Sequence, residues 1–273
     1  HFRFCRHGLA SACGDDMMAL FAFAWLMLLT DKSVLVTGAA NRLGAQIART
    51  LHQNGANLII HYRASDAAAQ TLVADLNQLR ENSAIALGAD LGSLDELEAL
   101  AIKAADAFDG LHILINNASS FYPTRFGEID LQAWDELIAS NYRAPLFLSQ
   151  ACYPLIKQAS GCIINLLDIY ASLPLRHHSV YCSAKAANQM LVKSLALELA
   201  PEVRVNGISP GAILWPSDES SDEQDYKKKL LQQVPLNRRG TPEAIADTAL
   251  FLATNDYITG EVIRVDGGRL LTA

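Results

Sequence analysis

The pair of side chains best suited to chemistry in this sequence is Tyr181 and Lys185, which are four residues apart. On a helix, that spacing places both side chains on one face. A nearby ammonium group favours the phenolate over the phenol, so we expect Lys185 to lower the pKa of Tyr181. A phenol of lowered pKa can exchange a proton near neutral pH, so the pair predicts a site of acid–base chemistry.

A second pair with the same spacing, Tyr153 and Lys157, precedes the fifth predicted strand, whereas Tyr181 follows it. Ligands of open α/β sheets bind beyond the carboxyl ends of the strands. We therefore expect Tyr181 and Lys185 to lie at the functional edge of the sheet, and the earlier pair to lie away from it.

Two other polar residues are candidates for the same site. Asp168 ends the fifth predicted strand, 13 residues before Tyr181, and could bond to Tyr181 or to a substrate; a solvated loop acid is the alternative. Asn141 falls in the middle of a predicted helix, where Asn is unfavourable. It could hold a water molecule or mark a kink, or it could be an ordinary exposed residue.

A glycine turn spanning residues 37–44, with Gly38 and Gly44, joins the first predicted strand to the first helix. Backbone N–H groups in such a turn, together with the helix N-terminus, suit a pyrophosphate. An ordinary strand–helix turn is the alternative. The sequence after the second and third strands favours the nucleotide.

The second predicted strand ends in His61, Tyr62 and Arg63, with no acid before Asp66. NAD-selective folds usually carry Asp or Glu there for the ribose hydroxyls. Arg63 could instead neutralise a 2′-phosphate, which points to NADPH, while Asp66 is expected in the first turn of the next helix. Asp90, after the third strand, could accept a hydrogen bond from an adenine amino group or simply begin a helix.

These residues are separated by apolar runs of strand length that alternate with helix-period stretches. Strands are predicted at 33–37, 58–61, 84–87, 112–116, 162–167, 203–208 and 262–265, and helices at 42–54, 65–80, from 93 onward, 131–155, 179–199 and 241–252. Continuous apolar strands between helices predict a parallel sheet covered on both faces. We expect an α/β fold: a single Rossmann-type, doubly wound sheet of about seven strands.

Composition narrows the possible functions. The chain has 273 residues, of which 51% are hydrophobic, and a net charge of −7. This excludes a disordered chain and disfavours a nucleic-acid partner. The five cysteines are scattered, so we expect free thiols in a reducing, cytoplasmic setting. His177 and His178 are too few for a metal site, and we expect them to be solvated or at the rim of the substrate site.

Residues 1–31 differ from the remainder of the chain. The apolar run from Met17 to Leu29 has 13 residues, whereas a membrane-spanning helix needs about 20. Asp15 and Asp16 precede it, and no signal-peptidase site follows. We expect an extension of unclear status outside a domain at residues 32–273, with Met27 a plausible natural start; a membrane tether through residues 17–29 is the alternative.

From Lys32 to Leu270 the sequence resembles the short-chain dehydrogenase/reductase family. The matching features are the glycine turn at 37–44, Asn116-Asn117-Ala118 after the fourth strand, Asn141, Tyr181 with Lys185, Pro210-Gly211 after the sixth strand, and Asp266-Gly267-Gly268. Within the family it is most similar to the pteridine reductases. The features supporting this are Arg42 in place of the middle glycine of the turn, Asp168 in place of the usual serine, and the loop at 117–124 with Phe121.

The resemblance implies a role for each matching position. Asp168, Tyr181, Lys185 and Asn141 would be catalytic. Binding of NADPH would involve Gly38, Arg42, Leu43, Gly44, His61, Tyr62, Arg63, Asp90, Leu91, Asn117, Ala118, Ser119, Tyr181, Lys185, Pro210 and Gly211. Binding of a pterin would involve Arg42, Ser119, Phe121, Asp168, Tyr181, Leu214 and Trp215. The Phe121 ring would stack on the pterin opposite the nicotinamide. A homotetramer is also implied. The net charge, the short apolar run and the isolated His pair separately lead us to expect no nucleic-acid, membrane or metal partner.

The resemblance therefore implies an NADPH-dependent pteridine reductase, with Tyr181 as proton donor. The preferred pterin, and whether both ring-reduction steps occur, stay open. One alternative is a short-chain carbonyl reductase acting on a 3-oxoacyl group or another ketone, against which Asp168 and Phe121 argue. The other is a non-catalytic NADPH-binding protein, against which the complete set of Tyr181, Lys185 and Asn141 argues.

Overall fold

A computed structural model describes residues 28–213 and 230–272. Its strands are β1 (Ser33–Val36), β2 (Asn57–Tyr62), β3 (Ala84–Gly88), β4 (Ile113–Asn116), β5 (Cys162–Leu166), β6 (Arg204–Pro210) and β7 (Val262–Val265). Residues 1–27 of the extension predicted at 1–31, and the predicted substrate residues Leu214 and Trp215, lie outside the described residues. Within the described ranges, no helix has both the length and the apolar composition needed to cross a membrane.

Helices connect the strands. They are α1 (Arg42–Gln53), α2 (Asp66–Leu79), α3 (Leu94–Ala107), α4 (Leu131–Ile138), α5 (Ala144–Gln158), α6 (Ser179–Leu199) and α7 (Pro242–Thr254). A π-helical turn at Ala139–Arg143 joins α4 to α5, and short 3₁₀ turns lie at Ile169–Ala171 and Arg269–Leu271. Asp66 begins α2, as predicted.

The strands form one seven-stranded parallel sheet in the order β3-β2-β1-β4-β5-β6-β7. The predicted doubly wound α/β fold is confirmed. The strand order reverses between β1 and β4, and such a switch point opens a crevice at the carboxyl ends of the strands. The turns after β1, β2, β3, β4, β5 and β6 therefore converge on one edge.

Both faces of the central strands β1, β4 and β5 are buried, which explains their continuous apolar sequences. Val34 and Val36 pack in one core cluster with α1, α2 and α7, while Leu35 between them packs in the other cluster with α3, α5 and α6. The same alternation holds in β2, because successive side chains of a strand point to opposite faces. Each covered face fixes the strand register and hence the alignment of the strand ends.

Two local features differ from the sequence prediction. The single helix expected at 131–155 is interrupted by the π-helical turn, where the Asn141 side-chain amide donates to the carbonyl oxygens of Leu137 (3.0 Å) and Ser120 (2.9 Å). Leu29, expected in the extension, is buried in the core, and its backbone N–H donates to Asn54 O at 2.9 Å. The packed chain therefore begins upstream of residue 32.

His52, on α1, is expected to make stability depend on pH. Its Nε2 lies 2.7 Å from the Ser83 hydroxyl oxygen. Burial, aided by the charge of Arg80, lowers the pKa of His52 to about 4. Because the unfolded chain binds this proton near pH 6.5, the stability contribution is complete above that value and is lost as pH falls towards 4.

Urea unfolding at pH 7.0 and 4.5 checks this expectation. Between these pH values the free energy of unfolding should fall by about 2–3 kcal/mol more in the parent than in His52→Gln, which retains a polar partner for Ser83 but does not titrate. Parallel losses in the two proteins would contradict it.

Candidate active site

A cleft of about 760 Å³ lies at the carboxyl edge of the sheet, within the size range of small-molecule sites. The residues predicted to bind cofactor or substrate line it, apart from Leu214 and Trp215, whose positions are outside the described residues. Asn141 is fully buried behind the lining. The turns after six different strands therefore bring together side chains that are far apart in sequence.

Tyr181 and Asp168 form the central pair of the cleft. The Tyr181 hydroxyl lies 2.7 Å from Asp168 Oδ2, and the Tyr170 backbone N–H donates to Asp168 Oδ1 at 3.0 Å. Tyr181 is only 3% exposed. Its place in the first turn of α6, just beyond the β5 end that carries Asp168, explains the contact.

The pKa of Tyr181 differs from the sequence expectation. Burial and the Asp168 carboxylate raise it, whereas a hydrogen bond with the Ser119 side chain acts in the opposite direction. The prediction of a lowered value considered only Lys185 and omitted the desolvation of the phenol and the negative charge next to it. Burial also raises the pKa of Asp168, against the effects of Tyr170, Tyr181, Lys185 and Arg269. The pair therefore retains protons more strongly than isolated side chains would.

Lys185 is buried beneath the pair. Its Nζ donates to Leu166 O at 2.8 Å and lies 5.7 Å from the centroid of the Tyr181 ring. Burial lowers the pKa of Lys185 to about 8, while the Asp168 charge raises it. The ammonium therefore remains charged at neutral pH, close to where a phenolate would form.

A chain of buried amide side chains fixes the floor of the site. Asn141 Oδ1 accepts from the Ser119 hydroxyl at 2.7 Å, and its backbone oxygen accepts from Asn188 Nδ2 at 2.8 Å. Asn188 Oδ1 accepts from Asn165 Nδ2 at 2.7 Å, and Asn165 Oδ1 from Asn116 Nδ2 at 2.8 Å. The sequence analysis missed Asn165 and Asn188; a polar residue inside an apolar strand, and one seven residues beyond Tyr181 on α6, were the available signals.

The glycine turn is held by close backbone approach. Gly38 has φ +60°, and a Cβ on Gly44 would lie 2.6 Å from Asn117 Nδ2, so a side chain at either position is disfavoured. Asn117 Nδ2 donates to the carbonyl oxygens of Thr37 (2.8 Å) and Gly38 (3.1 Å). The Thr37 hydroxyl accepts from the backbone N–H groups of Asn117 and Ala118, both at 2.9 Å. Thr37 and Asn117 thus join the β1 and β4 ends.

His61 connects two further turns. Its Nδ1 accepts from the Gly38 backbone N–H at 3.0 Å, and its Nε2 lies 3.0 Å from Ala89 O. These partners require a neutral ring with the proton on Nε2, and burial accordingly lowers the pKa of His61. Because both ring nitrogens are used by backbone, His61 supports the nucleotide end of the cleft through the glycine turn.

The same end of the cleft fits a phosphorylated dinucleotide. The first turn of α1 carries no acidic side chain, so its N–H groups can face a pyrophosphate. Arg42 and Arg63 are exposed and line the cleft. The Asp90 carboxylate accepts from the Gly92 backbone N–H at 2.9 Å and also lines the cleft. The turn and the two cations provide the donor groups and charge that a phosphorylated dinucleotide needs.

Arg42 occupies a glycine-like backbone conformation, with φ +55°. For a residue with a Cβ, this left-handed region costs on the order of 1 kcal/mol. We expect the free energy of unfolding of Arg42→Gly to be higher than that of Arg42→Ala, because glycine adopts this conformation without strain. The difference should be somewhat below about 1 kcal/mol, because glycine also gives the unfolded chain more conformational entropy. Both variants should lose the same share of turnover because both remove the guanidinium. Urea unfolding and steady-state kinetics measure these quantities. An Arg42→Ala variant with parent activity would contradict the expected role of the Arg42 side chain in binding cofactor and substrate.

Phe121 lies at the mouth of the cleft beside Tyr181. Its ring meets Tyr181 edge-on, with centroids 4.8 Å apart and an interplanar angle of 75°. It stacks on the His178 ring at 4.7 Å and 17°. Phe121 is still 54% exposed. His178 is thus at the rim of the site, and Phe121 offers an aromatic surface to a ligand.

The second Tyr–Lys pair lies on α5, outside the cleft lining. Lys157 Nζ is 5.7 Å from the Tyr153 ring centroid and 3.2 Å from the Glu202 carboxylate. Tyr153 therefore offers a matched control for Tyr181.

Known proteins resemble this chain along most of its length. A protein-family model described as enoyl-(acyl carrier protein) reductase matches residues 38–269. Pteridine reductase 1 of Leishmania tarentolae is 38% identical, with 89% of this chain and 98% of that protein covered. The 3-oxoacyl-(acyl-carrier-protein) reductase FabG of Staphylococcus aureus is 34% identical, with 87% and 97% covered.

The fold also matches a solved structure. A crystal structure from Sinorhizobium meliloti, described as a candidate short-chain alcohol dehydrogenase, superposes with a TM-score of 0.84 and 28% identity, covering 90% of this chain and 98% of the other. The names of these relatives refer to different substrates. The choice between those substrates for this chain therefore depends on the residues around Tyr181.

Proposed function

The chain belongs to the short-chain dehydrogenase/reductase family of oxidoreductases, and from that premise we propose that it is an NADPH-dependent pteridine reductase. Its substrates would be oxidised or dihydro pterins, such as biopterin and dihydrobiopterin, with folates as further candidates. The observation that carries the proposal is the Tyr181–Asp168 hydrogen bond of 2.7 Å next to the half-exposed Phe121 ring. A flat nitrogen heterocycle needs both features, an aromatic surface and a proton donor at its edge.

The residues that would hold the cofactor are those of the glycine turn, with Arg42 and Arg63 for its phosphates and Asp90 for its adenine. Lys185 would hold the nicotinamide ribose. When bound, the reduced nicotinamide supplies the hydride for a carbon of the pterin ring. The substrate ring would lie on the face of Phe121 that His178 leaves open.

Tyr181 supplies the proton in this scheme. Its raised pKa keeps the phenol protonated across the working pH range, so the donor is always loaded. Release of that proton beside a charged Asp168 would place two negative charges 2.7 Å apart. Asp168, whose pKa is also raised, can avoid this by returning its own proton to the Tyr181 oxygen as Tyr181 gives one to a ring nitrogen. The Lys185 ammonium stabilises the oxygen during the transfer.

A second candidate is reduction of a 3-oxoacyl ketone, favoured by the 34% identity to the staphylococcal reductase. In that reaction negative charge develops on the substrate oxygen. Once Asp168 has given its proton to Tyr181, the carboxylate that results would repel charge remaining on the ketone oxygen, whereas it suits the donor-rich edge of a pterin. The residue at position 168 therefore favours the pterin.

A substrate panel tests the proposed function. With saturating NADPH, we expect biopterin or dihydrobiopterin to be consumed with kcat/KM at least about tenfold above acetoacetyl thioesters, a preference of about 1.4 kcal/mol. The opposite order would support the ketone reductase, and NADPH binding without turnover of either class would support a non-catalytic protein. The homotetramer stays a prediction, which light scattering checks.

Arg63 is expected to select NADPH over NADH. Arg63→Ala should raise the KM for NADPH about 10- to 100-fold, because a charge-assisted contact to the 2′-phosphate is lost, and should leave the KM for NADH within about twofold. Arg49→Ala, which removes a surface pair with Asp75, is the control. Equal changes for the two cofactors would contradict this role.

A further inference from the structure

We infer that Arg269 is a positioning residue for the proton-delivering pair: it holds Tyr170 against Asp168 and provides a permanent positive charge behind that carboxylate. The inference rests on the proposed role of Asp168 and Tyr181 as the proton source. It adds a residue from the C-terminal turn, which lies 101 positions beyond Asp168 in the sequence.

Two successive contacts connect Arg269 to Asp168 through Tyr170. Arg269 Nη2 donates to the Tyr170 hydroxyl at 3.1 Å, and its guanidinium carbon lies 5.6 Å from the Tyr170 ring centroid. The Tyr170 backbone N–H donates to Asp168 Oδ1 at 3.0 Å, while Tyr181 bonds to Oδ2 at 2.7 Å. Each carboxylate oxygen thus has its own partner, and Arg269 holds the residue that provides one of them.

The Arg269 side chain is buried, which is unusual for an arginine. It is 9% exposed, and within residues 28–213 and 230–272 its Nε has no hydrogen-bond partner. A buried cation is costly unless a negative charge compensates it. Asp168 is close enough for the positive charge of Arg269 to lower the pKa of its carboxyl, although burial has the larger effect and raises it. The backbone N–H of Arg269 donates to Asp266 O at 3.2 Å, which anchors the turn.

Arg269 differs from the other groups that act on Asp168. In the described part of the chain these are Tyr181, Cys182 and Lys185 of α6, Tyr170 of the 3₁₀ turn, and Arg269 itself. With a pKa of about 8, Lys185 has lost about half of its charge at pH 8, whereas a guanidinium stays charged. Arg269 therefore continues to lower the pKa of Asp168, against the larger effect of burial, at pH values where Lys185 has lost its charge.

The pH dependence of pterin turnover tests this inference. If protonated Asp168 returns the proton to Tyr181, kcat/KM falls as pH rises through the pKa of Asp168. Removing a nearby positive charge raises that pKa, so in Arg269→Gln the fall should move to higher pH by about half a unit to one unit. Arg269→Lys retains the charge and should restore the parent midpoint. A superimposable Arg269→Gln profile, or an equal shift in Arg269→Lys, would overturn the inference.

Tyr170→Phe is the second variant should Arg269→Gln fold poorly. It removes only the hydroxyl that Arg269 holds, and its midpoint should move in the same direction by less. An unmoved midpoint would count against positioning through Tyr170.

A readout without substrate separates this inference from the proposed function. In urea at pH 8, Arg269→Gln should lower the unfolding midpoint more in the parent than in an Asp168→Asn background, since only the parent retains the charge partner. Equal losses would refute the coupling even if pterins are turned over. Coupling without any pterin turnover would instead refute the proposed function and leave Arg269 linked to Asp168.

Discussion

Replacing Tyr181 with Phe is expected to lower kcat for dihydrobiopterin by about 10²–10⁴-fold, the range that general-acid catalysis contributes. The substitution removes the hydroxyl that bonds to Asp168 and leaves the ring that meets Phe121. The KM for NADPH should change by no more than about threefold, because the phosphate-binding turn is untouched. Steady-state measurement of NADPH oxidation gives both kcat and the KM for NADPH.

Tyr153→Phe is the matched control, since it alters the other Tyr–Lys pair on α5 and should retain parent turnover. If Tyr181→Phe kept more than about a tenth of the parent kcat, Tyr181 would not be the proton donor. Equal losses in the two variants would point to a general effect on folding.

Asp168→Asn should reduce kcat by about 10²–10³-fold, because an amide cannot return a proton to Tyr181. It retains the shape and one acceptor for the Tyr170 N–H. The same change removes the negative charge that raises the pKa of Tyr181, so phenolate should form at lower pH than in the parent. An ultraviolet difference titration reports this, with Tyr181→Phe identifying the signal.

Asp256→Asn, at an exposed position after α7, controls for the loss of a carboxylate. A parent-like kcat in Asp168→Asn would remove Asp168 from the proton path. An unchanged phenolate titration would contradict the electrostatic effect of Asp168 on Tyr181.

The sheet could be predicted from the sequence because its strands are short, continuous and apolar. Val34, Leu35 and Val36 show the reason: adjacent side chains enter different cores, so all must be hydrophobic. The π-helical turn could not be predicted, since it depends on where the Asn141 amide finds carbonyl partners. Propensity indicates only that Asn is unfavourable in a helix.

The site was predictable in its residue types but not in its electrostatics. The spacing of Tyr181 and Lys185 correctly places both on α6, yet burial and Asp168 raise the pKa of Tyr181, against the opposite effect of a hydrogen bond with Ser119. Sequence gives no measure of desolvation, which arises from packing around the phenol. Arg269 illustrates the same limit, because its connection to Asp168 exists only through the folded position of Tyr170.

His61 also shows that the type of a residue does not reveal its role in the site. Its position at the end of β2 predicts a place near the cofactor, but its two ring nitrogens bond to Gly38 and Ala89. A side chain that supports a turn and one that touches a ligand look alike in sequence. Only the hydrogen-bond geometry separates them.

The central claim is that a pterin ring lies between Phe121 and the cofactor, within reach of the Tyr181 hydroxyl. A crystal structure of the chain with NADP⁺ and dihydrobiopterin tests it most directly. We predict the two fused rings stacked on Phe121, with a ring nitrogen about 2.6–3.2 Å from the Tyr181 oxygen. A pterin bound elsewhere, or a cleft that closes on Phe121 and His178 without admitting the ring, would contradict the claim.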